Sequence, residues 1–121
     1  MSKIIIIQDS PTINIMIKMR LEAEGFSVDI AETGEDGVKK VGENRYDLIL
    51  TDLGLPGISG AEVCNILKGD DRSKDIPIVL ISARDEEEIK KSVDELGAKG
   101  FITLPFEGKE LVEKINGFLG P

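Results

Sequence analysis

Two kinds of hydrophobic pattern alternate along the chain. Ile4–Ile7, Ser27–Ala31, Leu48–Thr51, Ile78–Ile81 and Phe101–Leu104 are short, rich in β-branched residues and mostly continuous in apolar character. Such runs predict strands covered on both faces, as in a parallel sheet. Between them, apolar residues recur at helical spacing. Ile13, Ile17 and Leu21 stand at i, i+4 and i+8 within Thr12–Glu24, and Gly25 supplies a stop. Ala61–Lys68 carries Val63, Ile66 and Leu67, Asp85–Leu96 carries Ile89, Val93 and Leu96, and Glu107–Leu119 carries Leu111, Ile115 and Phe118. The segment Gly34–Glu43 predicts the least stable helix. Gly34, Gly37 and Gly42 each cost ~1 kcal/mol against alanine in a helix interior, and only Val38 and Val41 mark a buried side.

Strand and helix alternating five times predict an α/β, flavodoxin-like (βα)5 fold, with a five-stranded parallel sheet in the order 2-1-3-4-5. No linker or repeat interrupts the pattern, so residues 1–121 read as one domain. Ligands of such folds bind beyond the carboxyl ends of the strands, where the first and third strands are neighbours. That singles out Gln8-Asp9-Ser10-Pro11 and Asp52-Leu53-Gly54-Leu55-Pro56.

Asp9 and Asp52 are therefore predicted to share one crevice. Two carboxylates at short range repel unless a cation or a proton compensates them. Mg²⁺ is the simplest compensation, with the Gly54 carbonyl as a third oxygen ligand. Taken singly, each residue has a plainer role: Asp9 or Ser10 caps the first helix ahead of Pro11, and Asp52 opens a turn before Pro56. Ser82 ends the fourth strand, where its hydroxyl either donates to an anion at Asp52 or caps the helix beginning near Asp85. Glu86–Lys90 and Glu87–Lys91 have the spacing of i,i+4 pairs on that helix.

Composition narrows the function. Fifteen basic residues against 23 acidic ones leave a net charge of −8, which argues against nucleic-acid or anionic-membrane binding. The chain contains no histidine, which excludes a phosphohistidine or catalytic imidazole of its own. A single cysteine, Cys64, sits among apolar residues and reads as a reduced core thiol. The longest apolar run, Ile4–Ile7, falls far short of the ~20 residues of a membrane span, and a cytoplasmic protein is expected. Gln8–Thr12 lacks the glycines of a phosphate-cradling loop, and Gln8-Asp9-Ser10 lacks the Asp-x-Asp of an aspartate-dependent phosphohydrolase.

The strand-end residues resemble the receiver domains of bacterial two-component response regulators, including the single-domain chemotaxis type, over nearly the whole chain. Asp9 is similar to the metal-binding acid of that family, and Asp52, in Asp52-x-x-x-Pro56-Gly57-x-x-Gly60, to its phosphoacceptor. Ser82-Ala83 resembles its Ser/Thr-Ala pair, Phe101 its aromatic switch residue, and Pro105-Phe106 the Pro-Phe where the family has a cis peptide. Two positions depart from it: Gln8 replaces the first of two acids, and Leu104 replaces the lysine that bonds the phosphoryl group. Lys99 lies at the wrong end of a strand to substitute, and Arg84 is better placed.

The resemblance implies phosphoryl transfer to Asp52 from a histidine kinase or phosphotransfer protein, self-assisted and not enzymatic in its own right. It implies weak Mg²⁺ binding by Asp9, Asp52 and Gly54, with Ser82 and Phe101 as the switch. Output would pass to a downstream protein through the fourth helix, fifth strand and fifth helix, without nucleic acid or membrane. Gln8 and Leu104 leave a second reading open, an atypical receiver that binds partners independently of phosphate.

Overall fold

Five strands and five helices alternate along the chain in a computed structural model that describes residues 2–120. The order is β1 (Lys3–Ile7), α1 (Pro11–Ala23), β2 (Ser27–Ala31), α2 (Gly34–Glu43), β3 (Leu48–Asp52), α3 (Gly60–Lys68), β4 (Ile78–Ser82), α4 (Glu86–Leu96), β5 (Gly100–Thr103) and α5 (Gly108–Leu119). The strands form one parallel sheet in the order β2-β1-β3-β4-β5, as the pattern predicts.

Alternate residues of each strand feed two separate cores. Ile5, Ile7, Ile49, Ile78 and Leu80 pack with Val41, Val63, Cys64, Leu67 and Ile89 from α2, α3 and α4. Ile4, Ile6, Leu50 and Ile81 pack with Ile17, Leu21, Leu111 and Ile115 from α1 and α5. This is why Ile4–Ile7 is apolar without a break: all four side chains are fully buried. Full burial of such a side chain stabilises by roughly 1.5–3 kcal/mol. Burial also raises the Cys64 thiol to about 11, consistent with an inert core residue.

Where sequence and structure differ, packing gives the reason. Two of the glycines expected to weaken α2 let it approach the sheet and the β3–α3 connection closely. A β-carbon on Gly37 would stand 2.5 Å from Ile7 Cδ1, and one on Gly34 would stand 2.6 Å from Ile58 Cγ1. The helix starts at Thr33, whose side chain accepts the Asp36 N–H. Asp85, not Ser82, caps α4, accepting the Glu87 N–H at 3.2 Å. The ion pairs spaced for α4 do not form. Glu86, Glu87, Lys90 and Lys91 are exposed, while i,i+4 pairs occur at Asp36–Lys40 and Glu110–Lys114.

β2 is an edge strand. The Ala31 carbonyl accepts the N–H of Gln8, the residue after β1. The Ile30 carbonyl, one residue back and directed away from β1, accepts from Lys40 Nζ at 2.7 Å. Among the described residues no helix is long and apolar enough to cross a membrane.

Candidate functional site

β3 extends one residue past its expected end, so Asp52 is the last strand residue and half-buried at the carboxyl edge. Ile7 pairs with Thr51, which brings Gln8 alongside Asp52. Gln8 is 1 % exposed, and each of its polar groups has a partner. Its N–H donates to Ala31 O at 3.0 Å, and its carbonyl accepts from Asn14 Nδ2 at 2.7 Å. Its Oε1 accepts the Ser10 N–H at 3.1 Å, and its Nε2 donates to Asp52 Oδ2 at 2.8 Å. The other carboxylate oxygen, Oδ1, accepts the Gly54 N–H at 3.0 Å. Two protein donors therefore hold the carboxylate.

Sequence reasoning treats Gln8 only as a departure from the family pattern and passes over Asn14. Asn14 is buried on the α1 face that carries Ile17 and Leu21. A polar residue on an apolar stripe is the signal that reveals it. Its Oδ1 has no hydrogen-bond partner among the described residues. Of the two candidate caps, Ser10 does the work: its Oγ accepts the Ile13 N–H at 3.3 Å, with Pro11 opening the helix. Asp9 remains an exposed carboxylate at the same edge. Behind the site, Gly60 donates its N–H to Leu53 O at 3.1 Å. A β-carbon there would collide with the Asp52 carbonyl oxygen, so the position requires glycine.

The opposite flank is built differently. Asp52 pairs with Ile81, and Ser82 follows as a buried strand-end residue. Its Oγ accepts the Arg84 N–H at 3.0 Å. Arg84 enters the site through this main-chain group, and its side chain is exposed. Leu104 donates its N–H to Ser82 O at 2.9 Å and packs, partly buried, on the α1–α5 core. The Leu104–Pro105 peptide is cis. Lys99 is exposed, with its N–H on Ile78 O at the far end of β4.

Phe101 is half-buried on the edge strand β5, and Lys114 Nζ lies 5.5 Å from its ring centroid. Three large apolar side chains of α1 are exposed: Ile15 at 55 %, Met16 at 53 % and Met19 at 68 %.

The family model described as the response regulator receiver domain matches residues 4–116. The chain belongs to this family. The response regulator ArlR of Staphylococcus saprophyticus is 36% identical over 119 residues, covering 98% of this chain and 53% of that protein. The chain spans about half the length of the curated relatives it matches. The chemotaxis response regulator CheY4 of Vibrio cholerae is 26% identical with a TM-score of 0.89, over 95% of this chain and 96% of that one. The structure of TrrA from Thermotoga maritima, in complex with Mg(2+)-BeF, is 33% identical with a TM-score of 0.85, over 98% of this chain and 99% of that one.

This receiver, homologous to phosphoacceptor receiver domains, has Asp9 and Asp52 at the carboxyl edge of the sheet, where such folds bind ligands. The donor set fits a hard divalent cation in kind, since carboxylates and a main-chain carbonyl are its preferred ligands. It is sparse in number: among the described residues no group of three or more His, Cys, Asp or Glu could hold a metal. The Gln8 amide also points a donor, not a lone pair, at Asp52.

Proposed function

We propose that this receiver accepts a phosphoryl group on Asp52 from a phosphohistidine of a histidine kinase or phosphotransfer protein, and signals by protein contacts. The observation that carries the reading is a half-buried Asp52 carboxylate at the carboxyl edge of the sheet, oriented by Gln8 Nε2 and the Gly54 N–H. One Asp52 oxygen forms the O–P bond as the P–N bond breaks, and the electron pair returns to the imidazole of the donor. An ionised carboxylate needs no general base, so the absence of histidine is no obstacle. The chain is consumed as acceptor and is not an enzyme in its own right, although its own residues assist the transfer. Ser82 Oγ accepts from the Arg84 N–H, which leaves the hydroxyl proton to donate to a phosphoryl oxygen.

Asp9, Asp52 and the Gly54 carbonyl are the residues that would hold Mg²⁺, weakly. When bound, it neutralises charge on the transferring group. On the donor side, Ile15, Met16 and Met19 present an apolar face on the helix that begins at the crevice. Such a face suits an apolar helix of the phosphohistidine protein. On the output side, α4, β5 and α5 form the surface for a downstream protein, with Phe101 as its switch residue. Residues 1–121 act as one receiver domain, in the cytoplasm, without contact to nucleic acid or membrane.

Intact mass after acetyl phosphate and Mg²⁺ tests the reading. The wild type gains one phosphoryl group and Asp52→Asn gains none. No gain in either, with partner binding intact, would establish the phosphate-independent module instead. A gain in both would place the acceptor elsewhere.

A further inference from the structure

We infer that Gln8 is a positioning residue for Asp52, holding the carboxylate with a protein amide and competing with any cation for the same oxygen. The functional meaning rests on Asp52 as phosphoacceptor; the geometry does not. Three features carry it.

The amide orientation is dictated by its neighbours. Oε1 meets the Ser10 N–H, a group that can only donate, and Nε2 meets Asp52 Oδ2, which as a carboxylate oxygen can only accept. Turning the amide over would set two donors face to face at Ser10 and two acceptors face to face at Asp52. Ser10 cannot yield, because it is the N-cap of α1.

The side chain is anchored. Gln8 is 1 % exposed, its N–H is tied to β2 and its carbonyl to Asn14 of α1. Releasing Oδ2 would leave a buried amide donor without a partner, an unfavourable state.

The opposing flank supplies no rival. Leu104 carries no side-chain donor, and Ser82 Oγ, which accepts the Arg84 N–H, makes no hydrogen bond to Asp52 among the described residues. Gln8 thus takes over the task of orienting Asp52 on the β1 side. A cation reaching Asp52 contends with this amide at Oδ2 and with the Gly54 N–H at Oδ1.

The test uses metal-free, unphosphorylated, ¹⁵N-labelled full chain. One proton of the Gln8 side-chain NH₂ should be shifted downfield and slow to exchange, and Asp52→Ala should abolish both signs. Mg²⁺ alone is then titrated, read on the Gly54 amide. Gln8→Met, of similar length and without a donor, should bind Mg²⁺ about tenfold tighter than wild type, the equivalent of ~1.4 kcal/mol. Affinity equal to or weaker than wild type would overturn the inference, because Gln8 would then be a bystander or a ligand through Oε1. Should Gln8→Met fail to fold, the wild-type NH₂ signal decides. A resonance in the free range that ignores Asp52→Ala overturns the inference equally. Neither readout involves phosphate. A chain that passes here but takes no phosphoryl group keeps the positioning role and loses the phosphoacceptor reading, and the reverse result does the opposite.

Discussion

On the β1 side of Asp52 every polar group of Gln8 has a partner, whereas on the β5 side the position before Pro105 is the aliphatic Leu104, packed on the core. The resembled family places charge on both flanks, acid on one and lysine on the other. Here Gln8 and Leu104 make two of those positions neutral, Asp9 stays as the acid of the β1 side, and the side-chain donor that holds Asp52 comes from that side. A lysine on a flexible stem follows charge from a carboxylate to a phosphoryl group. A buried glutamine tied to Ser10, Ala31 and Asn14 stays where it is. The contrast separates orienting the acid, which Gln8 does here, from responding to a change at it, for which the β5 flank carries no lysine.

The largest disturbance should come from the element both flanks share. Gly60→Ala sets a β-carbon against the Asp52 carbonyl and forces the β3–α3 connection to move. A loss of about 3 kcal/mol in urea unfolding is expected, as for overpacked interiors. A loss below the error of the melt would show that the loop yields freely and that Asp52 is not fixed from behind. Next in size, Leu104→Lys restores a charged donor to the bare flank. A charge-assisted bond is worth ~1.5–3 kcal/mol, so the proportion of switched conformer under beryllofluoride should rise about tenfold, read on the Phe101 ring. Equal proportions in both proteins would mean that the missing lysine does not limit switching. The smallest effect is expected from Asn14→Ala, which removes the bond to the Gln8 carbonyl together with the unpartnered Oδ1. Stability should fall by about 1 kcal/mol, with faster exchange of the Gln8 side-chain amide. If exchange is unchanged, α1 does not anchor the orienting flank.

The fold was legible because a strand buried on both faces must be apolar at every position, and Ile4–Ile7 and Ile78–Ile81 say so without reference to partners. Element ends were less legible. β3 runs on through the polar Asp52, held by its pairing with Ile81 and not by its own propensity. The glycines of α2 looked like weakness because their use depends on Ile7 and Ile58, residues from other elements. In the site, topology alone brought Asp9 and Asp52 to one edge. The direction of the Gln8 amide was hidden, since it is fixed by the Ser10 N–H and by Asn14 after α1 has docked. The exposure of Ile15, Met16 and Met19 was hidden too: the Ile13, Ile17 and Leu21 spacing marks the buried side, but nothing in it says that further apolar residues stand on the solvent side.

Lys40 bears on how copies of this protein meet one another. By occupying the outward carbonyl of Ile30, it places an ammonium group along the open margin of β2, where a strand from another molecule would look for an acceptor. A charged side chain at that margin opposes extension of the sheet from one molecule into the next, and Asp36 lies 3.6 Å from it on the same helix. Acetylating or replacing Lys40 would uncover the Ile30 carbonyl to a neighbouring strand while leaving the edge that carries Asp52 untouched.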